Sequence, residues 1–209
     1  MTAELRRLNR ALRALCECNA AIVQASDEAT LLESLCQTLV SVGGYRMVWV
    51  GVPDSGPECR VRVAACAGVD DGYLECVRIH WADDEFGQGP TGVAIRTGEI
   101  AINRNSVTNP DYQPWRAEAL RRGYRSSAAI PLLLDGAILG ALAVYSTEPE
   151  AFDTDETLRL RCVKTSMCCA GGLGSRARAS NFMPQGVDKT THGSRRALAC
   201  TMPTSSPRT

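Results

Sequence analysis

An α/β (α+β) fold, an antiparallel sheet flanked by helices, is what this 209-residue sequence predicts. An amphipathic helix precedes it and a disordered tail follows. Three observations carry that expectation. Residues 127–134 and 137–145 are apolar strand-like runs joined by Asp135-Gly136, a pair that supplies the positive dihedrals of a tight hairpin turn. Residues 86–98 run from a glycine-rich approach into Pro90, a short amphipathic helix and a terminating Gly98, a single helix set between strands. The remaining strand-like runs follow one another as a meander and do not alternate with long helices as parallel sheets require.

In chain order, Leu5, Leu8, Leu12, Leu15 and Ile22 recur at spacings of three and four, with Asn19 in the intervening seam position. That stripe suits either a helix that pairs with another or one lying on its own domain. Ser26-Asp27-Glu28 supplies a cap and first-turn acids for a second helix, whose face is Leu31, Leu32, Leu35, Cys36, Leu39 and Val40; Gly43-Gly44 ends it. Residues 45–52 predict a strand, and the turn Pro53-Asp54-Ser55-Gly56-Pro57 leads to a second. There Arg60 and Arg62 on a wet face alternate with Val61 and Val63 on a buried one. Gly68 to Gly72 makes a turn, residues 73–76 a short helical piece, and residues 77–81 an alternating strand with Val77, Ile79 and Trp81 on one face. After the glycine helix come a strand over 99–103, a turn at Asn109-Pro110-Asp111, and a helix opened by Pro114 and closed by Gly123. Pro131 cannot donate to a ladder, so its strand must be bulged or at an edge there.

Asp153 or Thr154 caps a last helix, and the periodicity fades after Arg161. Residues 1–161 carry 22 acidic and 16 basic side chains, residues 162–209 one and seven, and both lysines, Lys164 and Lys189, fall in the second stretch. With Gly171, Gly172 and Gly174 and a run of prolines, serines and threonines, that stretch lacks the apolar surface needed to offset chain entropy, and disorder is expected from about residue 170. The same abrupt change fits a frameshift or truncation as well as a natural tail. The organisation expected is a helix over 1–25, one domain over 26–162, and a tail over 163–209. The tail's scattered charges do not make a nucleic-acid surface. No apolar run is long enough for a bilayer, and the start of the chain lacks an apolar signal core, which predicts a cytoplasmic protein with no membrane contact.

The pieces occur in an order that resembles the GAF domain, a small-molecule-sensing and dimerising module of bacterial signalling proteins. The resemblance rests on residues 43–51 (Gly-Gly-Tyr-Arg-Met-Val-Trp-Val-Gly), Gly89-Pro90-Thr91-Gly92, Arg96-Thr97-Gly98, Asn109-Pro110, Pro114-Trp115, Gly123-Tyr124, Ser126 to Leu132, Gly140-Ala141-Leu142 and Phe152. It implies a pocket between one sheet face and residues 81–93 and 109–125, with Trp81, Thr91, Tyr112, Trp115 and Ser127 as candidate ligand contacts. Trp81 and Trp115 equally suit a core-filling role. The variety resembled sits beside PAS domains and ahead of diguanylate cyclase or histidine kinase output domains. It therefore implies an unknown small ligand, a homodimer through the terminal helices, and an output domain in a longer or separate chain. The alternative is a dimerisation module without ligand.

Catalytic readings find less support. Gly87-x-Gly89-x-x-Gly92 matches a dinucleotide fingerprint in letters only, because an acidic loop precedes it and no βαβ unit surrounds it. GAF-like reductases of free methionine sulfoxide carry a cysteine just before the strand that begins here at Arg125-Ser126-Ser127, and this sequence has none there. A redox enzyme would have to depend on Cys66 or Cys76. Asn103-Arg104 and Phe152-x-x-Asp155-Glu156 are at best a damaged copy of the cyclic-nucleotide elements of other GAF domains, and no Cys-His pair suits a bilin. His80, beside Trp81, reads as a packing or surface histidine. The ten cysteines show no metal spacing, and Cys36, Cys66 and Cys76 lie among apolar residues as packing thiols. No catalytic residue, metal or cofactor is expected.

Overall fold

The computed structural model describes residues 3–134 and 136–173. Helix α1 (Ala3–Gln24) leads into α2 (Glu28–Thr38), which Asp27 caps by accepting from the Thr30 amide. A π turn (Leu39–Gly43) closes α2. Strands β1 (Met47–Pro53) and β2 (Val61–Gly68) follow, then α3 (Tyr73–Cys76), a 3-10 turn (Glu85–Gly87) and α4 (Pro90–Thr97). Next come β3 (Ala101–Asn103), a second 3-10 turn (Pro110–Tyr112), α5 (Gln113–Arg121), β4 (Ser126–Leu134), β5 (Ala137–Ser146) and α6 (Thr154–Leu173). The five strands form one antiparallel sheet in the order β2-β1-β5-β4-β3.

Strand alternation sorts the sheet's side chains into two cores. On one face Val48, Val50, Ile130, Leu142 and Val144 pack against Leu32, Leu35 and Cys36 of α2 and Leu160 and Val163 of α6, with Phe152 between. On the other face Met47, Trp49, Ala129, Ala141, Ala143 and Tyr145 meet α3, α4 and α5. The three alanines lie together, Ala129 opposite Ala143 and Ala141 one pair further along. Their small side chains leave room on this face for the large aromatics of the covering helices. It is here that the candidate site lies.

The hairpin forms as the Asp-Gly pair predicts, with Gly136 at φ 81°. Pro131 sits beside a register shift at Leu132/Leu133, and β3 pairs only with Ala129 to Ser127, so β4 has no neighbour on that side at the proline. Gly98, at φ 71°, ends α4 by donating to the Ala94 carbonyl.

Four expectations need correction. Residues 77–81 do not form a strand: they make one bridge, Arg60 to His80, because their backbone bonds are divided between Val61 and Cys59 on one side and Phe86 on the other. Val63 is 38% exposed, since the shift at Val50/Gly51 breaks the alternation of the outermost strand. Helix α6 does not fade after Arg161: it runs on to Leu173, buries Val163, and lets Lys164 Nζ donate to the Gly98 carbonyl at 2.8 Å. Among the described side chains of α1, Ala14 and Cys18 lie on a buried face, continued by Ala25 just past the helix end, and Leu12 is 55% exposed. Small residues on that face let the helix lie close to its own domain, where Cys18 joins the α2–α6 core. The side chains of Leu5, Leu8, Leu15 and Ile22, and the tail beyond Leu173 with its expected disorder, lie outside the described residues.

Candidate functional site

Four tyrosines gather under α3 and α5. Tyr73 and Tyr112 share a hydroxyl hydrogen bond at 3.2 Å, and the Trp49 indole donates to the Tyr145 hydroxyl at 3.4 Å. Tyr73 stands edge-on to Tyr124 (5.1 Å between centroids) and Tyr145 (5.8 Å), Tyr124 lies 4.8 Å from Tyr145, and Tyr112 lies 5.5 Å from Trp115. All four phenols are pushed up, chiefly by burial, so each remains a neutral hydroxyl near pH 7. Ser127, on β4, is 2% exposed beside Tyr112, yet its Oγ makes no hydrogen bond of good geometry.

The walls of this cluster are held by arginines. Arg122, with its side chain 3% exposed, donates to the carbonyls of Asp70, Asp71 and Glu118 and to the Glu118 carboxylate, and its guanidinium lies over the Tyr73 ring. The Tyr124 hydroxyl donates to the Val69 carbonyl. Together they pin the loop before α3 onto the end of α5. Asp70 in turn accepts from the amides of Gly72 and Leu74, so α3 is capped from within the same loop. Arg116 donates to the carbonyls of Ser106 and Asn109, and Trp115 Nε1 to that of Arg78 at 2.6 Å, which fixes α5 from its other end.

The glycine run is explained by close packing. A Cβ on Gly87 would stand 1.8 Å from the Ala82 carbonyl oxygen, and one on Gly92 would stand 2.3 Å from that of His80 and 2.5 Å from that of Gly87. Gly89 lies against the Trp115 ring. Carbonyls crowd these glycines and Arg96 Nη1 is spent on the carbonyls of Ala82 and Gly87, so the run builds a tight loop and leaves no phosphate cradle.

Of the five candidate residues, the structure brings Tyr112, Trp115 and Ser127 together. Thr91 is buried in the first turn of α4. Trp81 is half-buried on the 77–81 segment and ties it to the β1–β2 turn by donating to the Asp54 carbonyl. Among the described residues no hydrogen bond or ring contact joins either to the tyrosines. The sequence reading missed Trp49, Tyr73, Tyr124, Tyr145 and Arg122. Tyr145 and Trp49 could have been found from strand alternation, since each is an aromatic on the same face as Ser127; Tyr73 could not, because its place depends on how the 68–72 loop folds back.

The remaining motif residues are structural. Asn103 is buried between Ser106 and Asn109, Arg104 reaches the Phe152 carbonyl, and Glu156 accepts from the Tyr45 hydroxyl and Arg159. His80 Nδ1 lies 2.8 Å from Asp84 Oδ2. Cys36 is a packing thiol as expected, whereas Cys66 and Cys76 are exposed. Burial pushes the Cys66 thiol up, the wrong direction for an activated thiolate. No group of metal-binding side chains occurs among the described residues, and no described helix is long and apolar enough to cross a membrane.

Comparison with solved structures finds the fold repeated. The GAF domain of a phosphoenolpyruvate-protein phosphotransferase from Coxiella burnetii aligns with a TM-score of 0.64 at 18% identity, covering 83% of this chain and 98% of that one. A free methionine-R-sulfoxide reductase from Neisseria meningitidis, solved with its substrate, aligns at 0.60 and 20% identity, covering 79% and 92%. The nlh2 GAF domain of A. aeolicus, in an inactive state, aligns at 0.59 and 15% identity, covering 79% and 96%. At such identities these likenesses concern the fold alone. No curated protein matches the chain significantly. The GAF domain family matches it in sequence over residues 25–160. On that match, and on the sheet and flanking helices just described, the chain belongs to the GAF domain family.

Proposed function

We propose that this chain is a non-catalytic, cytoplasmic sensory module, in which a small ligand at the tyrosine cluster biases the packing of α1 and α6. The observation that carries the reading is the buried, unpaired Ser127 hydroxyl within a ring of neutral hydroxyls and aromatic faces, since a few placed polar groups among apolar walls are what small-molecule sites offer. The domain spans residues 26–162, and two copies pair through the terminal helices. The output is a diguanylate cyclase or histidine kinase domain, in a longer or a separate chain. A ligand that binds one packing better shifts the helices by its difference in affinity for the two.

The free methionine sulfoxide reductases are similar in fold, but the tyrosine cluster contains no cysteine among the described residues, and Cys66 and Cys76 stand outside it. Full-length protein given free methionine-R-sulfoxide and dithiothreitol should show no turnover. Turnover lost in Cys66→Ser or Cys76→Ser would make it an enzyme. A second reading, a dimerisation module without ligand, is favoured by the density of the cluster, whose own aromatic rings pack edge to face. The two are separated by heating the protein with the small-molecule fraction of a cell extract. A sensory module gains stability, whereas a purely structural one does not.

A further inference from the structure

Two helices that lie on opposite faces of the sheet meet at Lys164. Leu160 and Val163 seat α6 on the aliphatic face, while Ala94 and Ile95 seat α4 on the aromatic one. The chain leaving α4 runs to the outermost strand β3, where Ile100 packs against the aliphatic core and Ala101 against the aromatic. At this edge Lys164 Nζ donates to the Gly98 carbonyl at 2.8 Å, which sets a cation at the C-terminal end of α4, where the helix dipole favours one. At its other end α6 is tied down by Glu156, which accepts from the Tyr45 hydroxyl. Tyr45 precedes β1 and pairs it to the Tyr145 end of β5, whereas Gly98 lies against Ile138 near the start of β5, so α6 is pinned at opposite ends of the sheet.

Helix α4 is in turn bound to the loop before it. Gly92 lies under the carbonyls of His80 and Gly87, and Arg96 Nη1 donates to those of Ala82 and Gly87. Gly89 lies against Trp115, on the edge of the tyrosine cluster. The 80–89 loop and α4 are thus packed as one body on the aromatic face, and the Gly98 carbonyl is the point at which that body is held by α6.

We propose that Lys164 is a conformational link, through which a rearrangement of α4 and the 80–89 loop passes to α6 around the edge of the sheet. Its use in signalling rests on the sensory reading above, for which it names a route from the aromatic face to a terminal helix.

Native-state hydrogen exchange, read residue by residue by NMR on the full chain, tests the link without any ligand. Lys164→Met keeps the apolar stem and removes the donor and the charge. It should speed exchange at Gly98 and also at His80, Trp81 and Gly87, whose amides are held by the carbonyls of Phe86, Cys59 and Asp84, by about threefold or more, the equivalent of one net hydrogen bond. Lys164→Arg, which can still donate, should stay close to the wild type. Coupling is reciprocal, so Arg96→Met, or the milder Arg96→Lys if that variant does not fold, should speed exchange at residues 161–164 of α6. In the Lys164→Met background the same change at Arg96 should no longer do so.

The proposal is overturned if Lys164→Met speeds exchange at Gly98 alone, if Lys164→Arg behaves as Lys164→Met does, or if the change at Arg96 leaves α6 unaltered or alters it equally in both backgrounds. A uniform rise through β1 and β5 would also overturn it, since that is loss of global stability. Should the small-molecule extract still raise the unfolding midpoint in any of those cases, the link fails while the sensory reading stands. Should the exchange pattern appear as expected and the extract have no effect, the link stands and the sensory reading fails.

Discussion

Arg122 shows how one side chain can organise a site without touching its chemistry. Its N–H groups reach three backbone carbonyls as well as Glu118, so its main work is to hold the Asp70–Asp71 loop against α5. Arg122→Ala should accordingly lower stability by about 2–4 kcal/mol, since several buried acceptors lose their donor at once. Glu118→Gln should have a much smaller effect, because that partner is 36% exposed; urea denaturation separates the two. If Glu118→Gln matched Arg122→Ala, the arginine would be acting as an ion-pair partner instead. Burial pushes the thiols of Cys18 and Cys36 up to about 11 and about 12. Below pH 9, the ordinary value, both states keep these protons and stability does not respond. Between pH 9 and the raised values the unfolded chain ionises while the folded one does not. Stability then falls by up to about 1.4 kcal/mol per thiol for each pH unit. Unfolding midpoints measured from pH 8 to 10.5 should decline more gently in Cys36→Ala than in the wild type. Residues of this kind were only partly legible in the sequence: Asp27 and Asp153 announce themselves as caps by local spacing, whereas nothing near Arg122 in the chain reveals a partner some fifty positions away.

Elements whose signals are local formed where the sequence placed them. The Asp-Gly hairpin, the proline-to-glycine span of α4 and the four residues of α3 all depend on dihedral preferences within a few positions. The segment 77–81 shows the opposite case. Its alternation is that of a strand, but strandhood requires a continuous neighbour, and its backbone bonds are divided between residues 59–61 and Phe86, leaving a single bridge to Arg60. In α1 the exposed Leu12 stands beside a face where Ala14 and Cys18, continued by Ala25 just past the helix end, are small enough to approach the domain. The glycine loop supplies the test at this scale. Gly92→Ala must displace two backbone carbonyls and should cost about 1–3 kcal/mol. Because the displaced loop leads directly to Gly89 against Trp115, tryptophan fluorescence should change in the folded variant as well. A Gly92→Ala protein with unaltered stability would mean the loop is loose, and the carbonyl packing described for it would be wrong.

At the scale of the molecule, the sheet separates an aliphatic core under α1, α2 and α6 from an aromatic one under α3, α4 and α5. The same strands carry both, so a change in how tightly the tyrosines pack can reach the terminal helices through alternate residues of β1, β4 and β5. That architecture was visible in outline from the order of elements, and three of the five candidate site residues converge. The hydrogen-bonded tyrosine cluster was not visible, because it depends on how α3 and the loop before it fold back over the sheet. The central claim is that this cluster is a ligand site. It is met most directly by the unfolding midpoint of the full chain with and without the small-molecule fraction of a cell extract, with Ser127→Ala measured alongside. The account predicts a rise for the wild type, approaching about 2.7 kcal/mol of stabilisation at a hundredfold excess over the dissociation constant, and a clearly smaller rise for the variant. A midpoint that does not move, or one that moves equally in both proteins, would contradict it.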